Sequence, residues 1–400
     1  MRILIVHNQY QQSGGEDSVV KAEFNILKNA GEDVYLYERS NKEFNDTFWI
    51  KKLKLLYDMK WSHKSYQDMR AILKKIHPDV VHFHNIFFIL TPSVYQACKD
   101  EGVPVVQSLH NFRLLCSNAL FFRNNKICEE CIEKKDLNRG IVHKCYRNSR
   151  VLTTVIVRML KFHWRRRTRQ TIVDHFILAS AFGRQKYIAA GIPKDQISIK
   201  PNVVYPDTLK QNQDEGYALY IGRLSSEKGV SILLEAWKAI DYIPLKIAGD
   251  GPLASELKEY VRIHGITNVE FLGFISEEQY KICMSGAKFL VIPSICYENF
   301  PCVVVEAYSY GIPIVASNIG SLPEVVEDRV TGVIFGAGDT HDLTRKIEWI
   351  AKNEEGLKGI RKNILQQYEQ RYSSRRIHEI LMTIYKKVIG GRKDSSVTVL

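Results

Sequence analysis

Two glutamates lie close together in the stretch Pro293-Ser294-Ile295-Cys296-Tyr297-Glu298-Asn299-Phe300-Pro301-Cys302-Val303-Val304-Val305-Glu306-Ala307. An apolar run ends near Pro293, a loop carries Glu298, and Pro301 is a preferred first-turn residue of a helix. Glu306 would then fall in the second turn among Val304, Val305 and Ala307. A carboxylate there is costly unless it accepts hydrogen bonds, for example from ligand hydroxyls. Glu298 can face the same ligand while the helix N-terminus meets its phosphates. Earlier in the chain, Gly222-Arg223-Leu224-Ser225-Ser226-Glu227-Lys228-Gly229 again reads as strand, loop and helix. Arg223 and Lys228 stand at that helix entrance, where two cations could grip a diphosphate; the alternative is a pair of solvated surface charges.

Near the N-terminus, Gly14 and Gly15 precede another helical pattern, and adjacent glycines let backbone N–H groups approach a phosphate. The fingerprint is incomplete, so a plain turn competes with it. His110, in Gln107-Ser108-Leu109-His110-Asn111-Phe112, follows a buried strand, where it could reach a ligand or simply cap a loop. His82, His84 and Asn85 end the preceding strand and read as cleft wall or strand-end hydrogen bonders. Four of the eight cysteines, Cys116, Cys128, Cys131 and Cys145, fall within thirty residues as C-x11-C-x2-C-x13-C. The tight pair and two distant thiolates could share one structural zinc, clipping an irregular insertion; reduced packing thiols are the alternative. Four cysteines would leave no open position for a catalytic metal.

These residues sit where strands end. Short apolar, β-branched runs alternate with helical patterns along nearly the whole chain. Expected strands are Arg2–His7, Asp33–Tyr37, Asp79–His84, Pro104–His110 and His175–Ala179, then Tyr217–Gly222, Pro244–Gly249, Asn268–Gly273, Lys288–Pro293 and Ile312–Ser317. Most are continuous apolar runs, as in parallel strands covered by helices on both faces. The polar, proline-bearing stretch 201–216 is the best linker. The reading is α/β, with two doubly wound domains whose ligands lie outside the carboxyl ends of the strands.

The ordered blocks resemble those of glycosyltransferase family 4: E-x-F-P-x-V-x-x-E-A, then Gly311-Ile312-Pro313-Ile314-Val315-Ala316-Ser317, with G-R-L-x-x-E-K-G, Ala248-Gly249-Asp250-Gly251-Pro252-Leu253 and Phe271-Leu272-Gly273-Phe274. The resemblance spans essentially the whole chain. It implies the GT-B fold, two Rossmann-like domains with a cleft between them: an acceptor-side domain over 1–200 and a donor domain over 217–372. The first would carry a Cys-rich insertion at about 112–148 and a basic helix at about 151–173. A C-terminal helix and tail, 373–400, would return to the first domain.

The same resemblance implies a UDP- or GDP-sugar donor with Glu306 on the ribose and Glu298 on the sugar. Arg223 and Lys228 would hold the diphosphate, and Phe274 would lie near the base. Amides of Cys302 and Val303 would help bind phosphate, with Gly222, Gly249, Asn299 and Phe300 completing the loops. His110 would face the donor sugar. Asn111 stands where many relatives carry Asp, which removes a possible base. Transfer would be front-face, with retention, and would need no cofactor or divalent metal, since no D-x-D-type site is evident.

Charge adds a partner. Residues 1–200 hold 33 Lys and Arg against 19 Asp and Glu, whereas residues 201–400 hold 23 against 25. Between Leu137 and Val173 there are ten basic residues and no acidic one. Arg158, Lys161, Arg165 and Arg169 share a helical face opposite Ile156, Met159, Leu160 and Trp164, which suits an anionic membrane surface. Trp49–Lys64 is a second candidate; packing of the apolar side on the domain core is the alternative for either. No run is long and apolar enough to span a bilayer, and no secretory signal is evident. The expected setting is the cytoplasm, peripheral on the inner face of the cell membrane, in surface polysaccharide synthesis from a lipid-linked or saccharide acceptor. Two rivals are another GT-B enzyme, such as a nucleotide-sugar epimerase, and a basic nucleic-acid-binding protein, for which no recognition motif is present.

Overall fold

The computed structural model describes residues 1–11, 14–44, 58–205 and 213–397. The chain forms two compact units. One comprises Met1–Phe121, Glu129–Tyr205 and Ser374–Leu400; the other comprises Phe122–Cys128 and Pro206–Ser373.

In the first unit, six parallel strands form one sheet: β1 (Arg2–Gln9), β2 (Asp33–Ser40), β3 (Val80–Phe83), β4 (Val105–Leu109), β7 (His175–Leu178) and β8 (Ile197–Ile199). Their order is β2-β1-β3-β4-β7-β8. The strand order reverses between β1 and β3, so a crevice opens beyond the carboxyl ends of those two strands. The run Ile3–Val6 is wholly buried because helices cover both faces. Helix α1 (Gly15–Asn29) supplies Val20, Ile26 and Leu27 to one side. Ile377, Leu381 and Tyr385 of the C-terminal helix, Ser374–Val397, join the same core.

The second unit repeats the plan with β9 (Tyr217–Ile221), β10 (Leu245–Ala248), β11 (Val269–Gly273), β12 (Ala287–Ile292), β13 (Ile314–Ser317) and β14 (Gly332–Phe335). The order β11-β10-β9-β12-β13-β14 is all parallel and reverses between β9 and β12. Its core gathers Trp237, Phe289, Phe335 and Ile347.

All ten expected strands are present, and the α/β reading holds. Two edge strands, β8 and β14, were not expected, nor was the small hairpin of β5 (Phe122–Arg123) and β6 (Lys126–Ile127). Asn124 and Asn125 turn that hairpin at φ 52° and 57°, a conformation Asn tolerates.

The insertion after His110 has more apolar packing than its sequence suggests. The rings of Phe112 and Phe121 meet at 4.9 Å, and Leu137 joins Ile156, Val157 and Leu160 in a small core. The basic helix is shorter than expected, Arg150–Arg165, because Arg167 takes a left-handed conformation at φ 48°.

Candidate functional site

At the second unit's switch point, the loop after β9 carries Gly222 and Arg223, and the loop after β12 carries Glu298. Lys228 Nζ lies 2.6 Å from Glu298 Oε1, which also accepts a hydrogen bond from Ser294 Oγ at 2.6 Å. Burial alone would lower the Lys228 pKa; the adjoining carboxylate of Glu298 reverses that and keeps the ammonium charged. Arg223, by contrast, is exposed and has no ion-pair partner among the described residues. One cation is therefore committed to holding a carboxylate, while the other is available to an incoming anion.

The loop bearing Glu298 is locked from behind. Ser321 N–H donates to the Glu298 carbonyl at 3.0 Å, and Gly320, at φ +61°, passes so close that a Cβ would stand 2.7 Å from Glu298 backbone atoms. Gly249 is equally constrained: at φ +135° its Cβ would lie 1.9 Å from the Gly222 carbonyl oxygen. Only glycine fits either place.

Pro301 is the N-cap of the helix Cys302–Ser309 rather than its first residue. Cys302 and Val303 form its first turn, with Asn299 and Phe300 buried just before it. Glu306 is half-buried in the second turn, and its Oε2 accepts a hydrogen bond from the Tyr280 hydroxyl. Burial first, then the neighbouring Glu306 carboxylate, pushes the Tyr280 pKa well up, so the phenol stays a donor. Phe274, directly after β11, is 89% exposed. The site thus offers a carboxylate on a helix, a second carboxylate paired to lysine, an uncommitted guanidinium and a helix start.

In the first unit, His7, on β1, donates from Nε2 to Asp17 Oδ1 at 2.7 Å, while its Nδ1 accepts from the Asn85 N–H at 3.4 Å. Asp17 also takes the Gly14 N–H at 2.8 Å. Burial would raise the Asp17 pKa, but the bonds from His7 and Gly14 hold it below the usual carboxylate value. Gly14 therefore spends its amide on Asp17, and a Cβ there would meet nothing within 4 Å.

A cavity of about 60 Å³ opens beside these residues, lined among others by Tyr10, Glu16, His84, His110, Asn111 and Arg113. Tyr10 donates to Glu16 at 2.9 Å and accepts from Asn111 Nδ2 at 3.2 Å. Burial pushes the Glu16 carboxyl up to about 7 against the lowering effect of His7 and Tyr10. Arg113 stacks between the rings of Phe87 and Tyr146, at 4.8 and 5.1 Å.

Tyr10, Glu16, Arg113, Tyr280 and Ser294 were not singled out from the sequence. Ser294 had a signal, four positions before Glu298; Tyr280 had none, because nothing local ties it to Glu306. The four clustered cysteines do not converge: among the described residues the one group of three ligating side chains within 4.8 Å is Glu23, His82 and His84. The apolar side of Arg150–Arg165 is packed inward, Arg158 and Arg165 are exposed, and Lys161 is engaged by Asn138 at 2.9 Å and Asp136 at 3.8 Å. The side chain of Arg169, residues 49–57 of the second basic segment, Gln12 and Ser13 of the glycine loop, and 206–212 of the linker lie outside the described residues.

The family model for Glycosyltransferase Family 4 matches residues 25–208, and that for Glycosyl transferases group 1 matches residues 205–367. An uncharacterized glycosyltransferase of Methanocaldococcus jannaschii is 32% identical over 170 residues, 42% of this chain and 48% of its own length. The O-antigen chain mannosyltransferase C of Escherichia coli is 23% identical over 182 residues, 45% of this chain and 49% of its own. The chain spans about half the length of the curated relatives it matches. Among solved structures, Anabaena HepE in complex with UDP and glucose has a TM-score of 0.68 at 16% identity, over 97% of this chain and 100% of that one.

Proposed function

We propose that this chain, which belongs to the family 4 glycosyltransferases, moves a sugar from a nucleoside-diphosphate-sugar to a saccharide acceptor with retention at the anomeric carbon. The observation that carries this reading is the set at the β9/β12 switch point: Glu306 on its helix, the Lys228–Glu298 pair and the exposed Arg223. Glu306 accepts the ribose hydroxyls, displacing or sharing the Tyr280 contact. Arg223, Lys228 and the start of Cys302–Ser309 draw the diphosphate by charge and helix dipole. Phe274 lies by the base, with Gly222, Gly249, Asn299 and Phe300 shaping the surrounding loops. Glu298 and His110 contact the sugar.

In the reaction, the bond from the sugar's C1 to the diphosphate oxygen breaks. The acceptor oxygen bonds to C1 on the same face, and its proton leaves with the departing diphosphate. The diphosphate's growing charge is what Arg223 and Lys228 stabilise. A UDP-sugar is the first donor to test, since a structural neighbour of this fold was solved with UDP and glucose.

The acceptor reading rests on the first unit's cavity and on its charge. Arg150, Arg158, Arg165, Arg166 and Arg167 are exposed, and Val151 stands 71% exposed among them. With the apolar side of the helix already packed, attachment to anionic lipid is electrostatic, at about 1 kcal/mol per charge. No helix among the described residues is long and apolar enough to cross a membrane. A lipid-linked acceptor in surface polysaccharide synthesis fits such a surface, and the O-antigen mannosyltransferase among the relatives points the same way. Thermal stabilisation and turnover across UDP- and GDP-sugars test the donor reading. The absence of both for every donor, with the fold intact, overturns it.

A further inference from the structure

Behind His110 runs a line of buried polar groups that the transfer reaction does not itself use. His84 Nδ1 lies 2.9 Å from His110 Nε2, with the two rings nearly parallel at 15° and their centres 5.2 Å apart. On its far side, His84 Nε2 stands 3.5 Å from Glu23 Oε2, and Glu23 Oε1 meets the Lys200 ammonium at 2.7 Å. Glu23, His84 and Lys200 are at most 2% exposed. His82 completes the cluster, held by Tyr385 at 2.7 Å and Ser108 at 2.8 Å. The trio Glu23, His82 and His84 has the makeup of a metal site, but Lys200 already places a cation on the carboxylate.

Burial, reinforced for His84 by the neighbouring histidines and for His110 by Lys200, holds both imidazoles well below their ordinary pKa. Each is then neutral and carries one N–H, which leaves two arrangements. If His84 were protonated on Nδ1, its bare Nε2 lone pair would point at the Glu23 carboxylate in a site without water, a repulsion that low dielectric magnifies. If His84 is protonated on Nε2, that N–H faces the carboxylate at 3.5 Å, an attraction between charge and dipole that falls short of a formed hydrogen bond, and its Nδ1 accepts. His110 must then donate from Nε2.

We propose that Glu23 and His84 are positioning residues that fix His110 as its Nε2–H tautomer, so that Nδ1, the nitrogen left to a ligand, is a hydrogen-bond acceptor. Nδ1 has no partner among the described residues, and His110 lines the cavity. The ligand group it selects is therefore a donor, a sugar or acceptor hydroxyl, and a deoxy or methoxy analogue loses that bond. The consequence for turnover rests on the reading of His110 as a sugar contact; the tautomer does not.

The test is a long-range proton–nitrogen NMR spectrum of the full chain labelled with 15N-histidine at neutral pH, with no ligand. His84 and His110 should both show protonated Nε2 and bare Nδ1. A His110 protonated on Nδ1, or on both nitrogens, overturns the proposal. Glu23→Gln gives the second readout. Its amide oxygen takes the Lys200 ammonium, its NH2 turns to His84 Nε2, and the relay reverses, so His110 becomes the Nδ1–H form and turnover falls about tenfold. If Glu23→Gln fails to fold, the wild-type spectrum alone decides. If both spectra behave as stated and turnover is unchanged, the relay stands and the sugar contact of His110 falls.

Discussion

Lys228 and Glu298 hold each other at 2.6 Å across two loops, so the lysine of the proposed donor site is also part of the scaffold. Arg223, a few residues away, has no such duty. The two cations should therefore fail differently when removed.

Arg223→Ala is expected to lower turnover by about 1.5–3 kcal/mol of transition-state stabilisation while leaving the melting temperature unchanged. Lys228→Ala should lower turnover and also destabilise the protein by about 1–3 kcal/mol, because the buried Glu298 carboxylate loses its cation and keeps the Ser294 hydroxyl alone as a side-chain donor. Steady-state kinetics and thermal melts on the same samples check both. Equal melts for the two variants would count against the scaffold role.

Glu306→Ala should weaken nucleotide-sugar binding at least about tenfold, read by calorimetry. Tyr280→Phe keeps the carboxylate and removes only its resident donor, so its effect on affinity should be smaller, within about fivefold.

Glu16 gives a pH signature. Its folded pKa, about 7, is raised above the ordinary 4.5, so between those values the native state keeps a proton that the unfolded chain releases. Stability from this group is full below about 4.5 and is lost as pH rises towards 7. Melting midpoints measured from pH 4.5 to 7.5 should decline less steeply in Glu16→Gln than in the wild type.

Two glycine substitutions should separate shape from chemistry. Gly249→Ala forces a Cβ to 1.9 Å from the Gly222 carbonyl and should cost roughly 2 kcal/mol or more, together with donor binding. Gly14→Ala, with open space around it and φ −140°, should be nearly neutral for stability. Chemical denaturation curves decide it.

Gln replacing Arg150, Arg158 and Arg165 should abolish co-sedimentation with anionic liposomes while leaving donor hydrolysis intact. In the wild type that binding should fade as salt rises and the Debye length falls from about 10 Å at 0.1 M to 3 Å at 1 M.

The continuous apolar runs made the strands legible, since a parallel strand covered on both faces has almost no other composition open to it. Edge strands β8 and β14 escaped because three or four residues, one of them glycine or serine, carry too little pattern. The loops of the proposed donor site stand out in the sequence as ordered blocks of Gly, Pro and Glu. What they pair with was not: Lys228 reaches Glu298 and Tyr280 reaches Glu306 only through the strand order, which no local window contains. Glu23 and Lys200 show the same limit more sharply. Each reads as an ordinary surface charge, yet both are buried against each other. The cysteines stayed ambiguous: C-x2-C spacing allows a metal clip or packing thiols, and among the described residues they form no group of three ligating side chains within 4.8 Å.

Tyr385 reaches His82 from the far end of the chain, with the whole second unit threaded between them. A ribosome that has released residue 205 has made every strand of the first sheet but not the helix that covers one of its faces. At about 5–20 residues per second, that face waits roughly 10–35 s for its own last segment. During that interval the second unit can complete itself, because its main piece, 206–373, is made in one run and its short segment Phe122–Cys128 already exists, whereas the first, begun earlier, must finish last. Premature termination near residue 373 would thus leave the unit made first, not the unit made second, as the one a protease or chaperone recognises.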